Sequence, residues 1–229
     1  MQWLVLVGVL MCLLPVCRRL RILRQMGQAA RAARLYRRAA WGHGLLILLA
    51  MAAQEGILAL SGLLTWQNAL PLHLCSLMGL IALPALLTRG WLLHALFYAG
   101  VPGAMLALAF PAVLPTPWPH LTAFFFHLMH AGLAAAALLP LADGWRPRVW
   151  GAVQAGGFLL IAGAAAGVAN ALTGGNYLFL AGAVAGTPLI WLLGRGMAFY
   201  RLALAALAAM VLALAAGMVA LARKIRWRK

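Results

Sequence analysis

The chain has 229 residues, of which 66% are hydrophobic, and its mean hydropathy is +0.98, whereas a soluble domain is about 45–50% apolar. Only two residues are acidic and eighteen are basic, so the net charge is +16 and the mixed charged surface of a soluble protein is excluded. The basic residues cluster at the ends of apolar runs, which argues against nucleic-acid binding and favours contact with anionic lipid headgroups.

Long apolar runs rich in Leu, Ala and Gly indicate the fold class. In lipid, every backbone N–H and C=O must be paired inside its own element, and the alternating pattern of barrel strands is absent. The sequence therefore predicts an all-α polytopic membrane protein, a bundle of about seven transmembrane helices. In windows of about 20 residues, these helices are predicted at 2–17, 40–61, 70–88, 91–111, 121–141, 150–172 and 199–222.

The spans divide the chain into four regions. Residues 1–17 are predicted to be a membrane anchor, because the charges follow the apolar run and no cleavage site precedes them. Residues 18–39 are predicted to be a basic loop with helical potential that lies on anionic headgroups, 40–222 a six-helix membrane core, and 223–229 a basic tail. The connection 173–198 is long enough for a short helix, a re-entrant segment or a lid, and the sequence does not decide between these.

The basic residues also predict the orientation. Sixteen of the eighteen lie on one side of this arrangement of spans, and eight of them are arginines between positions 18 and 38. The positive-inside rule then places the N-terminus outside and the C-terminal tail in the cytoplasm. The two exceptions, Arg195 and Arg201, lie near the outer entry to the last span.

Polar residues inside the predicted spans converge on the outer half of the membrane. They are Glu55, which is the only acid in a span, and His73, Cys75, His127 and His130. Asn176 follows the sixth span on the same side. Polar groups at this depth are costly and by default indicate function. His73 and Cys75 lie two residues apart, about 200° around a helix, so a base for the thiol should come from another helix. His127 and His130 share one helix face and could supply it.

The residues 70–77, Leu-Pro-Leu-His-Leu-Cys-Ser-Leu, resemble a block of the YwaF-type bacterial membrane protein family. They are also similar, more distantly, to the vertebrate transmembrane acyltransferase that makes polyunsaturated ether phospholipids. Further matching blocks, in order over roughly residues 40–200, are Gln54-Glu55, Phe97-Tyr98 with Gly100 and Gly103-Ala104, Pro119-His120 with His130, Asn176-Tyr177-Leu178-Phe179-Leu180, and Thr187-Pro188. The sequence departs from the family pattern at two places. His127 stands where the family usually has an aromatic residue, and residues 196–200 stand where the family has a Pro-Trp-Pro-Trp-Tyr block.

The resemblance implies a multi-pass protein of the bacterial inner membrane that acts on membrane lipids as an acyltransferase or ester hydrolase. It assigns the nucleophile to Cys75 and the partner histidine to His130. In this hypothesis Glu55 or His73 orients the base or binds the headgroup. The residues expected to bind the substrate are His73, Asn176, Tyr177 and His127, with Asn176 donating to the developing oxyanion. No cofactor, resident metal or nucleic-acid partner is expected.

Three other hypotheses use the same polar residues. In a metal-dependent hydrolase, a zinc ion would be held by His127, His130, His73 and Glu55, although their spacing matches no zinc signature. In a transporter or assembly subunit without catalysis, Glu55 could be a proton site, but no internal repeat supports a transporter architecture. A haem could be ligated by His73 and His130.

Overall fold

A computed structural model of the chain describes residues 2–111, 120–183 and 187–226. Within these ranges the protein is built from helices, without strands. The seven main helices are α1 (Gln2–Gln25), α2 (Ala29–Leu60), α3 (Leu74–Thr88), α4 (Trp91–Ala109), α5 (Leu121–Ala142), α6 (Gly151–Thr173) and α7 (Met197–Arg226). Six of them are long and apolar enough to cross a membrane. The seventh, α3, would cover only about 22 Å at the usual helical rise, less than the ~30 Å of a hydrocarbon core.

The basic segment 18–39 differs from the predicted loop. α1 continues to Gln25, and α2 begins at Ala29, so only residues 26–28 connect them. The segment is rich in Ala, Arg and Leu, which are strong helix formers, and its break falls at Gly27, whose φ is +69°. The arginines of this segment therefore lie on the ends of two long helices.

Proline residues interrupt two of the helices. In α4 the turn Leu96–Gly100 is π-helical and precedes Pro102, which has no N–H to continue the ladder. In α5 the α-helix stops at Ala135 and resumes at Leu138, because the ring of Pro140 conflicts with the carbonyl four residues earlier. Both helices continue in the same direction after the interruption and still serve as candidate spans.

Glycines allow α2 to approach α3 and α5 closely. A Cβ on Gly44 would lie 2.8 Å from the Cβ of Leu83, and a Cβ on Gly132 would lie 2.7 Å from the Cγ1 of Ile47. Close approach through small residues is the usual packing of helices in lipid. The main apolar core lies between α1, α2, α3, α4 and α5.

α7 lies at the edge of this core and is largely exposed. Its side chains Leu202 and Met218 are 72% and 67% accessible, which is the pattern of a lipid-facing helix. Ala215 and Val219 pack on Tyr98 of α4 and on α6. At its N-terminal end, the hydroxyl of Tyr200 donates to the carbonyl of Phe179, 2.8 Å away.

A buried aspartate joins three helices at one end of the bundle. The Asp143 carboxylate, with no exposed side-chain surface, accepts two hydrogen bonds from Arg24, both at 2.8 Å, and one from Arg89. The guanidinium of Arg89 also lies over the ring of Tyr36, 3.6 Å from its centroid. Burial raises the pKa of Asp143, but the hydrogen bonds from the two arginines outweigh this and hold the pKa below its usual range. This group, Arg24, Arg89, Asp143 and Tyr36, is called the aspartate clamp below, and its end of the bundle the basic end.

Candidate functional site

The register of α2, α3 and α5 places the predicted site residues at similar depth. Ile47 faces Gly132 of α5, and a Cβ on Gly79 of α3 would lie 3.1 Å from the Sδ of Met51. Because Gly44 faces Leu83 while Met51 faces Gly79, α2 and α3 run antiparallel. Moving one turn from that contact, away from the basic end, reaches Glu55 on α2 and Cys75 on α3. The two residues therefore lie at one level, near the end opposite to the aspartate clamp.

The histidines of α5 lie close to the same level. The Sδ of Met129 is 4.0 Å from the Cβ position of Gly79, so His130 lies at about the depth of this contact, and His127 lies nearer to the level of Cys75. Both rings are buried, with 3% and 4% exposure. The depth predicted for these residues from the sequence thus agrees with the helical register.

Each of the two imidazoles is oriented by the backbone of its own helix. Nδ1 of His127 lies 2.6 Å from the carbonyl oxygen of Ala123, and Nδ1 of His130 lies 2.7 Å from that of Phe126. A carbonyl oxygen only accepts, so Nδ1 carries the proton and Nε2 of each neutral ring is left as an acceptor. Nε2 of His127 is buried and has no hydrogen-bond partner. The orienting role that the sequence assigned to Glu55 or His73 is held here by main-chain carbonyls.

Cys75 is a free thiol in the first turn of α3. It is half-buried and packs against the main apolar core. Among the described residues, no hydrogen bond joins it to either histidine, and the Nδ1 atoms of both rings bond main-chain oxygens. The thiol and the imidazoles therefore lie at similar depth without a hydrogen bond between them.

The segment 174–183 packs against the start of α3. Its 3-10 turn, Tyr177–Phe179, places two rings on the His73 imidazole, with centroid distances of 5.5 and 5.4 Å. The buried Tyr177 hydroxyl accepts from the N–H of Leu70, 3.0 Å away, and donates to the carbonyl of Trp66. This part of the connection 173–198 therefore covers the N-terminal end of α3 with a 3-10 turn. Residues 184–186 of the connection lie outside the described part of the chain.

The segment carries local backbone strain. Leu178 and Phe179 have φ values of +52° and +59°, in the left-handed region that non-glycine residues rarely adopt. Asn176 holds this conformation with its side chain, because its Nδ2 donates to the carbonyl of Gly182 and its Oδ1 accepts from the N–H of Ala181. The Asn176 amide that was predicted to stabilise an oxyanion is thus occupied in shaping its own loop.

Glu55 differs from the other acid of the chain. It makes no ion pair or hydrogen bond with any described residue and is half-buried. The Oε1 of the adjacent Gln54 is buried and also unpartnered. Among the described residues, which include Glu55, His73, His127 and His130, no three His, Cys, Asp or Glu side chains are grouped so that they could hold a metal ion. The ligand set considered for zinc is therefore not assembled.

Sequence reasoning did not identify a second polar site, at the basic end. A cavity of about 390 Å³ lies there, and its lining residues are Arg89, Gly90, Trp91, His94, Trp145, Arg146, Arg148 and Gln154. Nδ1 of His94 and Oε1 of Gln154 are buried, and these two side chains interact with one another. The signal that could have found it is Asp143, one of only two acids in the sequence, in the connection that also carries two of these arginines.

Six apolar helices that could each cross a membrane, most of them with exposed apolar side chains, define a multi-pass α-helical membrane protein. The chain belongs to the TMEM164 family, whose model matches residues 1–216. No curated protein matches the sequence, and no solved structure matches it. Of the blocks that carry the family resemblance, Pro119 lies outside the described residues.

Proposed function

We propose that the protein transfers acyl groups between membrane lipids, or from a lipid to water, through a thioester on Cys75. The observation that supports this most is the pair of buried imidazoles on α5, whose protons are held at Nδ1 and whose Nε2 atoms are left as acceptors near the level of the thiol. A nucleophile activated by a base that a third group orients is the minimal arrangement for covalent acyl transfer. Here the third group is a backbone carbonyl.

The proposed reaction has two steps. Nε2 of His130 takes the proton from the Cys75 thiol as the sulfur attacks the ester carbonyl of a lipid, and the C–O bond then breaks. The leaving alcohol takes that proton from His130, and the acyl group remains on sulfur as a thioester. A lyso-lipid hydroxyl or water then gives its proton to His130 and attacks the thioester. The C–S bond breaks, the sulfur takes the proton back from His130, and the product is the acylated lipid or, with water, a fatty acid.

The remaining site residues are proposed to receive the substrate. The unpartnered Nε2 of His127 can accept a hydrogen bond from a substrate hydroxyl, and so can the unpartnered Oε1 of Gln54. Glu55, without a partner of its own, is available for the cationic or hydroxyl part of a headgroup. The rings of Tyr177 and Phe179 pack on His73, and an acyl chain is proposed to enter beside these rings.

We also propose that the protein lies in a bacterial inner membrane with the Cys75 end facing outward. The resemblance to YwaF-type proteins and the positive-inside rule support this. Sixteen of the eighteen basic residues lie at the aspartate clamp, on α1 and α2 near it, in the connection that follows Asp143, or in the C-terminal tail. On this orientation a lipid of the outer leaflet would reach Cys75 laterally.

The test is direct detection of an acyl-enzyme. The purified protein is reconstituted in vesicles of diacyl phospholipid with an added lyso-phospholipid, and intact-mass spectrometry measures acylation while lipid analysis measures turnover. We expect an adduct that neutral hydroxylamine removes, present in the parent protein and absent from Cys75→Ala. Cys12→Ala is the matched control, because Cys12 is an exposed thiol on α1 and should leave the adduct unchanged.

Variants of the two histidines separate their roles. His130→Gln is expected to lower acylation by about 10²–10⁴-fold, the usual contribution of a general base. His127→Gln is expected to raise the substrate concentration needed for half-maximal turnover, with a smaller loss of maximal rate. Unchanged lipid turnover in a folded Cys75→Ala protein would contradict the proposal and favour a role without covalent catalysis.

A further inference from the structure

We propose that the cavity at the basic end binds the phosphate group of an anionic ligand, and that the ligand is an anionic phospholipid. This site is separate from the proposed catalytic site, which lies at the opposite end of α3. It carries no assumption about the reaction at Cys75. The charge of the lining, an arginine held in position and the aromatic residues at the opening support it.

The lining of the cavity is basic and contains no acid. Arg89, Arg146 and Arg148 are among the residues that line a space of about 390 Å³, and Nη1 of Arg146 also donates to the carbonyls of Leu141 and Trp145. The nearest acid, Asp143, is shared between Arg89 and Arg24, so one carboxylate faces two cations and a positive charge remains uncompensated. Guanidinium groups match phosphate oxygens in geometry as well as in charge, so a phosphate is the anion that such a lining recognises best.

Arg89 is held in position before any ligand arrives. It follows the last residue of α3 with a φ of +56°, donates to Asp143, and lies against the ring of Tyr36. Its side chain is 29% exposed, so its positive charge remains accessible to a ligand. An arginine fixed on one side by a carboxylate and an aromatic ring loses little freedom when an anion binds to it.

Two polar side chains at the cavity pair with one another. His94 is 8% exposed, and its Nε2 lies 3.5 Å from the backbone N of Arg148, which leaves Nδ1 as the protonated nitrogen of the neutral ring. The side chain of Gln154 on α6 is the hydrogen-bonding neighbour of this imidazole. The two side chains form a polar, uncharged wall, so the charge of the cavity comes from the arginines alone.

The surroundings of the cavity favour a lipid over a soluble phosphate. Trp91 lines it and is 52% exposed, and Trp150, two residues after the lining residue Arg148, is 65% exposed. Tryptophans at the ends of spans lie at the level of the lipid headgroups. Exposed apolar side chains of α6, such as Val153, continue from this level along the helix, where acyl chains would lie. The cavity is therefore placed where a headgroup phosphate lies.

Affinity for a named lipid tests the inference. The full chain is placed in nanodiscs of phosphatidylcholine with increasing phosphatidic acid, and native mass spectrometry counts the lipid retained per protein. We expect saturable retention of one phosphatidic acid, weakened about tenfold in the double variant Arg146→Gln, Arg148→Gln. Both arginines are exposed, so their replacement should leave the fold intact. The matched control is Arg37→Gln, Arg38→Gln, which removes two exposed charges near the same end but outside the cavity.

The source of the phosphate is decided in a second arm. Detergent-solubilised protein is titrated with inorganic phosphate and with glycerol phosphate, and thermal stability is measured. Stabilisation by these soluble anions, lost in the cavity variant and not in the control, would support the phosphate site while assigning it to a soluble ligand. Equal loss of phosphatidic acid in both double variants, or no preference over phosphatidylcholine, would overturn the inference, because binding would then reflect surface charge alone.

Discussion

Replacement of Asp143 by Asn is expected to destabilise the protein more than any other change of an acid in this chain. The carboxylate accepts two hydrogen bonds of 2.8 Å from Arg24 and a further one from Arg89, so the amide loses the charge that holds two cations. Removing one partner of a buried ion pair usually costs about 3–5 kcal/mol. Arg24 and Arg89 are 38% and 29% exposed and can turn to water, so we expect the lower limit, about 3 kcal/mol.

Thermal unfolding in detergent micelles measures this effect. In a protein of this size, about 3 kcal/mol corresponds to a decrease in Tm of about 6–12 °C. The matched control is Glu55→Gln, because Glu55 is the only other acid and makes no ion pair with a described residue. Its Tm is expected to stay within about 2 °C of the parent value. A cycle with Arg24→Gln should show a coupling of at least about 1 kcal/mol between the two changes.

The reasoning would be refuted by an Asp143→Asn protein whose Tm decreases no more than that of Glu55→Gln. Strict additivity of Arg24→Gln and Asp143→Asn would also contradict it, since independent effects mean that the pair is not an interaction.

The remaining predictions concern pH, packing and the cover of α3. The pKa of Asp143 is lower in the folded protein than in the unfolded chain. Its stabilising contribution is therefore complete above the unfolded pKa of about 3.9 and is lost as the pH falls through the folded pKa. The difference in Tm between the parent and Asp143→Asn should shrink below about pH 4. Gly132→Ala should cost about 1–3 kcal/mol through its collision with α2, whereas Gly157→Ala, with open space around it, should be neutral in the same unfolding measurement. Tyr177→Phe removes two hydrogen bonds to the connection before α3 and should increase the rate of maleimide labelling at Cys75; an unchanged rate would show that the segment 174–183 does not control access.

The helices could be predicted from the sequence because each is a long apolar run with charges at its ends. The spans predicted at 121–141 and 150–172 correspond to Leu121–Ala142 and Gly151–Thr173. The basic segment 18–39 was harder, since a run of arginines is equally consistent with a surface loop and with a helix that extends beyond the hydrocarbon. Its helical state depends on the helix propensity of Ala, Arg and Leu, which is a weak signal beside that of charge.

The sequence predicts at which level of the bundle the candidate site residues lie, but not which atoms they contact. Hydropathy and charge bias place Glu55, Cys75 and His130 along the membrane normal, and the helical register agrees with that placement. Rotation of each helix about its axis depends on packing, and so the main-chain partner of His130 could not be predicted. The Asp143–Arg24 pair could not be predicted either, because the partners are 119 residues apart and nothing local in either segment indicates the other.

The attachment of α7 has a consequence for the order in which the protein is completed. Tyr200 and Arg201 bond the carbonyls of Phe179 and Leu180, so the last helix holds the strained turn that covers His73. A ribosome makes α3 and α5 well before α7, and during that interval the turn lacks the hydrogen bonds from Tyr200 and Arg201. The bonds that Asn176 and Tyr177 make to their own segment and to the connection before α3 can already form. The final span therefore completes the cover of His73 and does not create it.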